Sequence, residues 1–391
     1  MKEITCVVVG GGYAGIHAVK AMREKLAGRS VRMILLDKEP HHLRKVLLFK
    51  PAVSKDAEIA LPLNRIFPEG VEFIQGTATT IQKDEKILLY QDQKGSSQAI
   101  HYDILVLAVG SVIRRAEPGQ GGIALSSVEA AVSIREAWQA NMRKAAQEQN
   151  PEERQRLLTV TVAGAGISGI ETAAELAYAM REEAARLGLH PLAAKIYLIN
   201  TENRLFPDGP AKLGRRLEQA LNDYGVSVLH GQKALREQDG IVTLSGGSTL
   251  STGLCIWSLG LLPNPLLRTI GVPISAQGQV IVDASYRVSG APGVYSIGDC
   301  ARIIDPTSGQ ADRMTCKEAT AQAARLGSVV AADLDGTPSP AHKSFMEFFC
   351  IGLGPEQGIV WTRKWGLDII LTGKLGWKIR QYTWNIASML H

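Results

Sequence analysis

No two cysteines of this chain form a C-x-x-C pair; Cys6, Cys255, Cys300, Cys316 and Cys350 are scattered along its length. That spacing excludes a zinc motif, so no metal is expected, and it excludes a thioredoxin-like dithiol. No apolar leader stands ahead of Cys6, and the sequence enters a strand almost at once. The expectation is a cytoplasmic protein with reduced thiols and no targeting segment. Nor is there an unbroken apolar run of about 18 residues, the least a spanning helix needs. Any membrane contact must be made from the surface, which leaves a peripheral place on the inner face of the cell membrane open. Charge of one sign is also scarce: the net is +5 over 391 residues. Such a balance suits an anionic small ligand or an anionic lipid surface and argues against a nucleic-acid partner. Low-complexity tracts are absent.

What the chain does have is glycine, 39 residues of it, on a background 45% hydrophobic and 21% charged. The composition is that of a globular protein of two or three domains. Residues 5–22 (TCVVVGGGYAGIHAVKAM) and 160–180 (VTVAGAGISGIETAAELAYAM) share one plan: apolar strand, glycine turn, alanine-rich helix. Each is followed by another apolar strand, at 31–37 and 194–200. The repeated β-α-β pattern predicts an α/β fold with two doubly wound Rossmann-like nucleotide-binding domains. Residues 102–111 and 254–265 read as strands running into glycine turns. Residues 145–157 read as a helix end and loop, 278–288 as an alternating strand, 291–301 as a strand entering a loop, and 318–335 as one helix.

The first glycine turn is Gly10-x-Gly12-x-x-Gly15. In such a turn the first glycine permits the bend, the second lets backbone approach a pyrophosphate, and the third lets helix close on strand. The helix N-terminus then offers free N–H groups to the phosphates. Asp37 ends the next strand, about 20 residues on, where a ribose 2′-hydroxyl needs an acceptor. The second turn, Gly164-x-Gly166-x-x-Gly169, has the same setting, but its next strand ends in Asn200, with Glu202 and Arg204 close behind. An acid at that strand end repels a 2′-phosphate; Asn200 removes the repulsion and Arg204 is placed to attract the phosphate. NADH and NADPH both stay open, with NADH ahead because Glu202 can reach the ribose. Two dinucleotide units need two dinucleotides, and passing hydride between two nicotinamides achieves little. One unit is therefore expected to hold FAD and the other NAD(P)H.

Four segments occur in order: VVVGGGYAGIHAV, YDILVLAVGS with Gly110, VAGAGISGIETAAEL, and VYSIGDCA with Asp299. Together they resemble the signatures of the pyridine-nucleotide-dependent flavoprotein family, over about residues 4–333. The resemblance implies that the first unit binds FAD, that Asp299 contacts the ribityl and pyrophosphate region, and that the second unit binds NAD(P)H. Disulfide reductases of that family carry C-x-x-x-x-C soon after the first unit, and residues 38–60 hold no cysteine. Sulfide:quinone reductases use a cysteine between the two glycine motifs, where this chain has none. What remains resembles the type II NADH dehydrogenases (single-chain NADH:quinone oxidoreductases) and the apoptosis-inducing-factor-like quinone reductases.

That narrower resemblance places His41, His42 and VLLFKPAV after the first acid, the two histidines reading equally as solvated turn residues. It places Glu171 beside the flavin, to position nicotinamide or relay a proton; Glu171 and Glu175, at i and i+4, read alternatively as a solvent face. The quinone signature A-Q-x-x-x-Q is matched only at Gln322. Lys317, Glu318 and Gln322 are expected as flavin-side contacts, against the plainer view of a capped helix with a charged first turn. The expected catalytic residues are Glu171, Lys317 and Gln322.

After an apolar stretch with Phe345, Phe348 and Phe349, residues 361–391 mix Trp361, Trp365, Trp377, Tyr382 and Trp384 with Arg363, Lys364, Lys374, Lys378 and Arg380. Rings and cations of this kind suit a bilayer interface; a homodimer face or a cover over the flavin domain is the other reading. The expected organisation is an FAD-binding domain from 1–115 and 265–335, an NAD(P)H-binding domain at 116–264, and a C-terminal membrane- or dimer-interface segment at 336–391. The expected activity is hydride transfer from NAD(P)H to flavin and two electrons onward to a quinone-like acceptor. Two rivals are a soluble NAD(P)H:ferredoxin or rubredoxin-type reductase and a redox-sensing apoptosis-inducing-factor-like flavoprotein.

Overall fold

Hydrophobic strands that alternate with alanine-rich helices leave both faces of a sheet to be covered, and the chain does this twice. The computed structural model describes residues 3–390. Its helices are α1 (Tyr13–Lys25), α2 (Leu63–Ile66), α3 (Val128–Ala145), α4 (Pro151–Leu157), α5 (Ile167–Arg186), α6 (Ala211–Asp223), α7 (Cys316–Asp335) and α8 (Gly373–Ala387). The first sheet runs Val294–Ser296, Ile104–Leu107, Ile4–Val9, Val31–Asp37, Glu72–Gln82, Ile87–Asp92, Ser97–His101. Its first five strands are parallel and the last three form an antiparallel meander. Ile104–Leu107 is apolar throughout and Ile4–Val9 at every position but Thr5, because helices or loops cover them on both sides. α1 and α7 lie together on one face of this sheet, their contact sealed by Val19, Met22, Leu326 and Val330.

The second sheet is parallel, in the order Ile123–Ala124, Leu254–Trp257, Thr159–Ala163, Lys195–Ile199, Val226–Leu229. A three-stranded antiparallel sheet (Ala234–Gln238, Ile241–Leu244, Thr249–Ser251) sits beside it. The chain passes between the two halves through Ser111–Ile113 and Leu261–Pro263, which pair with each other antiparallel. The two doubly wound α/β units expected from the repeated pattern are both present.

Two local readings are corrected. Residues 151–157 form a helix and not a loop, because the Asn150 side chain accepts from the N–H groups of Glu152 and Glu153 while Pro151 opens the first turn. Residues 278–288 are not one strand. Only Val280–Ile281 pairs as a strand, after which the Asp283 carboxylate accepts from the N–H groups of Ser285 and Arg287 and folds the chain back. The apparent alternation comes from the two arms of a turn.

The C-terminal segment also departs from the expected surface attachment. Phe348–Gly352, Gly358–Lys364 and Leu367–Thr372 form an antiparallel sheet backed by α8. Ile351, Ile359, Trp361 and Trp384 belong to the same core cluster as Phe49, Trp138, Ile170 and Leu176. Trp361 and Trp384 are buried, so the aromatic content that suggested an interface is partly core. Residue 391, the last of that segment, and residues 1 and 2 of the first lie outside the described residues.

Candidate functional site

The two glycine turns have matching geometry. Gly10 and Gly164 take φ of +110° and +117°, which only glycine adopts without strain. A Cβ at Gly15 would stand 1.7 Å from the Gly10 carbonyl oxygen, and one at Gly169 would stand 1.8 Å from that of Gly164. Both helices therefore close on their strands at a distance no other residue permits. Gly12 and Gly166 differ in kind: a Cβ there would meet nothing within 4 Å. Each is the N-cap of its helix, with no side-chain cap and no acid in the first turn. The free N–H groups face open space, as a bound pyrophosphate requires.

A cleft of about 340 Å³ begins at Gly10, Gly12 and Asp37 and continues past Gly110 and the Gly298–Asp299 turn. Asp37 accepts from the N–H groups of Gly11, at 2.5 Å, and Glu39, at 2.8 Å, and burial raises its pKa. His42 backs the same turn. It is fully buried, its Nδ1 lies 2.9 Å from the Gly11 carbonyl, and burial pushes its pKa down to about 4. A carbonyl cannot donate, so the neutral ring must carry its proton on Nδ1. His42 is thus a buried support for the turn and not a solvated residue, while His41 is half-exposed.

Asp299 accepts from the Ser111 hydroxyl at 2.5 Å; burial raises its pKa, and Ser111 and the Lys45 cation work against that rise. Lys45 donates to the Ser111 carbonyl at 2.6 Å and also lines the cleft. Burial lowers the pKa of Lys45, opposed by Asp299. A positive group among an acid, two helix N-termini and open glycine backbone suits a ligand with a negatively charged diphosphate.

The first turn of α7 closes one side, with Cys316 and Lys317 in the lining. Lys317 donates to the Phe348 carbonyl and lies 4.4 Å from the centre of the Phe349 ring. Glu318 is spent on a capping box: it takes the Thr315 hydroxyl at 2.7 Å and the Arg313 N–H at 3.0 Å. Gln322 requires a correction. It is 2% exposed and stands outside the cleft lining, one turn of α7 beyond Ala319, which lines it. Its Oε1 accepts from Gly298 N–H at 2.7 Å and its Nε2 donates to Asp312 at 2.8 Å. It holds the Gly298–Asp299 turn, which itself lines the cleft.

The other wall is the first turn of α5, including Ile167, Ser168 and Glu171. Glu171 is 1% exposed. Its two oxygens receive Arg380 Nε at 2.8 Å and Nη2 at 2.9 Å, and Gly352 N–H donates at 2.7 Å. Burial opposes the charge on Arg380, but the Glu171 carboxylate outweighs it and the net pKa is raised. Glu175, one turn on, is also buried and pairs with Lys50 at 2.5 Å. Neither acid faces solvent. Arg380, grouped above with the interfacial cations, is 7% exposed and belongs to this site. Its signal was readable: it sits in register with Gly376, Trp384 and Ala387 on the buried face of α8.

Outside the cleft, Asn200 is buried and its amide donates to the carbonyls of Glu202 and Arg204 and contacts His230. Arg204 donates through Nη2 to the carbonyls of Pro207 and Gly209. Both side chains bond to carbonyls of their own loop, Arg204 through Nη2 alone. Glu202 remains exposed. Lys45, Cys316, Cys350 and Arg380 are among the lining residues that spacing did not reveal, since each comes from a segment without a glycine motif.

This chain aligns at 28% identity over 384 residues with an NADH dehydrogenase-like protein of Mycobacterium tuberculosis, covering 94% of this chain and 90% of the other. It is 26% identical to a type II NADH:quinone oxidoreductase of the same species, over 88% of this chain and 75% of that one. Among solved structures it superposes on NDH2 of Plasmodium falciparum in complex with NADH, with a TM-score of 0.83 over 98% of this chain and 94% of the other, at 16% identity. The family model described as pyridine nucleotide-disulphide oxidoreductase matches residues 4–324. The segment where a family disulfide would stand holds no cysteine, so what is shared is the paired dinucleotide frame. By that match and that frame, this chain belongs to the pyridine nucleotide-disulphide oxidoreductase family.

Proposed function

We propose that the chain is an FAD-dependent NADH dehydrogenase that delivers two electrons to a quinone. One observation carries the reading: a single cleft joins the first glycine turn, Asp37 and Asp299 to the first turn of the second glycine helix and the buried Glu171–Arg380 pair. The relatives named as NADH dehydrogenase-like and as NADH:quinone oxidoreductase support it, and no cysteine pair of disulfide-reductase spacing competes with it. We divide the chain as 1–115 with 265–335 for FAD, 116–264 for NADH, and 336–391 as the closing segment.

Flavin supplies the acceptor for hydride and the donor of the electron pair. The residues supply position and charge. Open backbone at Gly10–Gly12, with α1 behind it, takes the FAD pyrophosphate, Asp37 takes the adenosine ribose, and Asp299 orders the ribityl chain with Lys45 as its counter-charge. Gly164–Gly166 with α5 take the second pyrophosphate. Glu171 and Lys317 flank the space where nicotinamide and quinone would meet the flavin. Arg380 keeps Glu171 in place against burial, and Glu171 can hold or pass a proton there. NADH is the favoured donor because Arg204 and Asn200 are tied to their own loop, and the exposed Glu202 would repel a 2′-phosphate.

Among the described residues no helix is long and apolar enough to cross a membrane. Membrane contact is read instead from an exposed C-terminal face. Trp365 is 87% exposed, Leu367 68% and Tyr382 66%, and this is the surface a homodimer would otherwise use. We place the protein peripherally on the cytoplasmic side of the membrane, where a hydrophobic quinone is available. The test is anaerobic stopped-flow. NADH should bleach the bound flavin, and adding a quinone should restore its colour; a ferredoxin that restores it faster would favour the soluble-reductase rival.

A further inference from the structure

We propose that the cleft between α1, α2 and the chain beyond α8 binds the headgroup and first acyl carbons of an anionic phospholipid. This rests on the membrane reading above and names the lipid that the surface would meet. The cleft holds about 580 Å³. Lys20 and Arg23 enter from one face of α1, and Arg65 enters from the end of α2. Among the described residues the lining holds one carboxylate, Glu24. Among the described residues Lys20 and Arg23 have no ion pair, and Arg65 has a loose one with Glu58 at 3.6 Å, both partners exposed. Three cations gathered with so little compensation repel one another, and an anion arriving between them relieves that repulsion.

The floor of the same cleft is apolar, with Leu61 and Phe67 buried beneath Met389 and Leu390. A free phosphate would satisfy the cations and leave this floor wet. A phosphate carrying an acyl chain uses both. The surroundings agree. Leu375, Tyr382 and Ile386 are exposed at i, i+7 and i+11 on α8, so they share one face, and that face leads to Met389 and Leu390. Three cations of the C-terminal segment are engaged, Arg380 by Glu171, Arg363 by Asp368 and Glu347, and Lys374 by Glu356, which leaves Lys364 and Lys378 without an ion pair among the described residues. Uncompensated positive charge that an anionic leaflet would seek therefore gathers in this cleft, beside an exposed apolar face.

The experiment titrates the FAD-loaded full chain with dioctanoyl phosphatidylglycerol below its micelle concentration, by calorimetry. Wild type should bind one molecule, and K20E/R23E and R65E should each weaken binding by about tenfold or more. Dioctanoyl phosphatidylcholine and glycerol 3-phosphate should also bind about tenfold more weakly or worse, the first lacking net charge and the second the chain. Flavin content and NADH reduction report folding in the variants, and R65E decides the matter if K20E/R23E does not fold. Wild-type affinity in the folded variants, or equal binding of the choline lipid or of glycerol 3-phosphate, overturns the site. Vesicle flotation separates the two readings: if short lipid binds at the cleft but wild type floats with no vesicle, the membrane reading falls and the lipid site stands.

Discussion

Replacing Arg380 by methionine should leave the most costly defect that one substitution in this site can make. The side chain keeps most of its length, but the Glu171 carboxylate, 1% exposed, loses both charge-assisted bonds and retains Gly352 N–H. Removing one member of a buried ion pair typically costs about 3–5 kcal/mol, because the surviving charge stays desolvated. E171Q/R380M should recover a large part of that loss, giving a coupling of about 2–3 kcal/mol between the two positions. Urea unfolding followed by tryptophan fluorescence measures it, since Trp384 lies 4.9 Å from the Arg380 guanidinium. A loss under about 1 kcal/mol, or a double mutant that sums the two singles, would refute the account.

Gly12→Val should yield a folded protein without FAD, because the added atoms enter the open space at the α1 N-terminus; Gly15→Ala should fail earlier, in soluble yield, because its Cβ strikes the Gly10 carbonyl. Absorbance of the purified variants and circular dichroism separate the two outcomes. Glu202→Arg should raise the kcat/KM ratio of NADPH over NADH by about tenfold, one contact of about 1.4 kcal/mol, and an unchanged ratio removes Glu202 from the donor site. Cys316→Ser and Cys350→Ser together should leave the rate of flavin reduction by NADH nearly unchanged, although both line the cleft. A collapse of that rate in stopped-flow would reveal a sulfur-based step.

Local chemistry made much of the frame legible. Glycine turns, strand ends and the Gly298–Asp299 turn act through backbone geometry within a few residues, so the sequence spells them out. Asn200 and Arg204 show where the same logic overreaches. Each lies just past the strand end, and each bonds to carbonyls of its own loop. Gln322 fails likewise: it shares a helix face with Ala319, which lines the cleft, but lies one turn farther along α7, where it holds the Gly298–Asp299 turn. Lys45 was invisible because nothing local marks a lysine as facing an acid more than two hundred residues away.

The C-terminal segment makes the deeper point, because composition there predicts two opposite fates for the same residues. A tryptophan near an arginine reads equally as a bilayer anchor or as a core contact. What separates Trp365, 87% exposed, from Trp361, 1% exposed, is place in one hairpin, the paired strand for Trp361 and the turn beyond it for Trp365. Trp361 points inward to Phe206 and Phe349, while Trp365 stands at the turn. Arg380 likewise differs from Lys378 by two positions on α8, which is about 200° of rotation and the difference between core and solvent. A segment that holds both fates cannot be a detachable anchor. Removing 361–391 would strip Trp361, Trp384 and Arg380 from the body of the protein and leave Glu171 buried without its cation. Flavin reduction by NADH should then be lost together with any membrane contact, whereas exposed-face substitutions such as Trp365→Ser with Leu367→Ser should remove the contact alone. Flotation with vesicles and stopped-flow on the two proteins decide it, and a truncated protein that still reduces its flavin at the wild-type rate would show that the pair is dispensable.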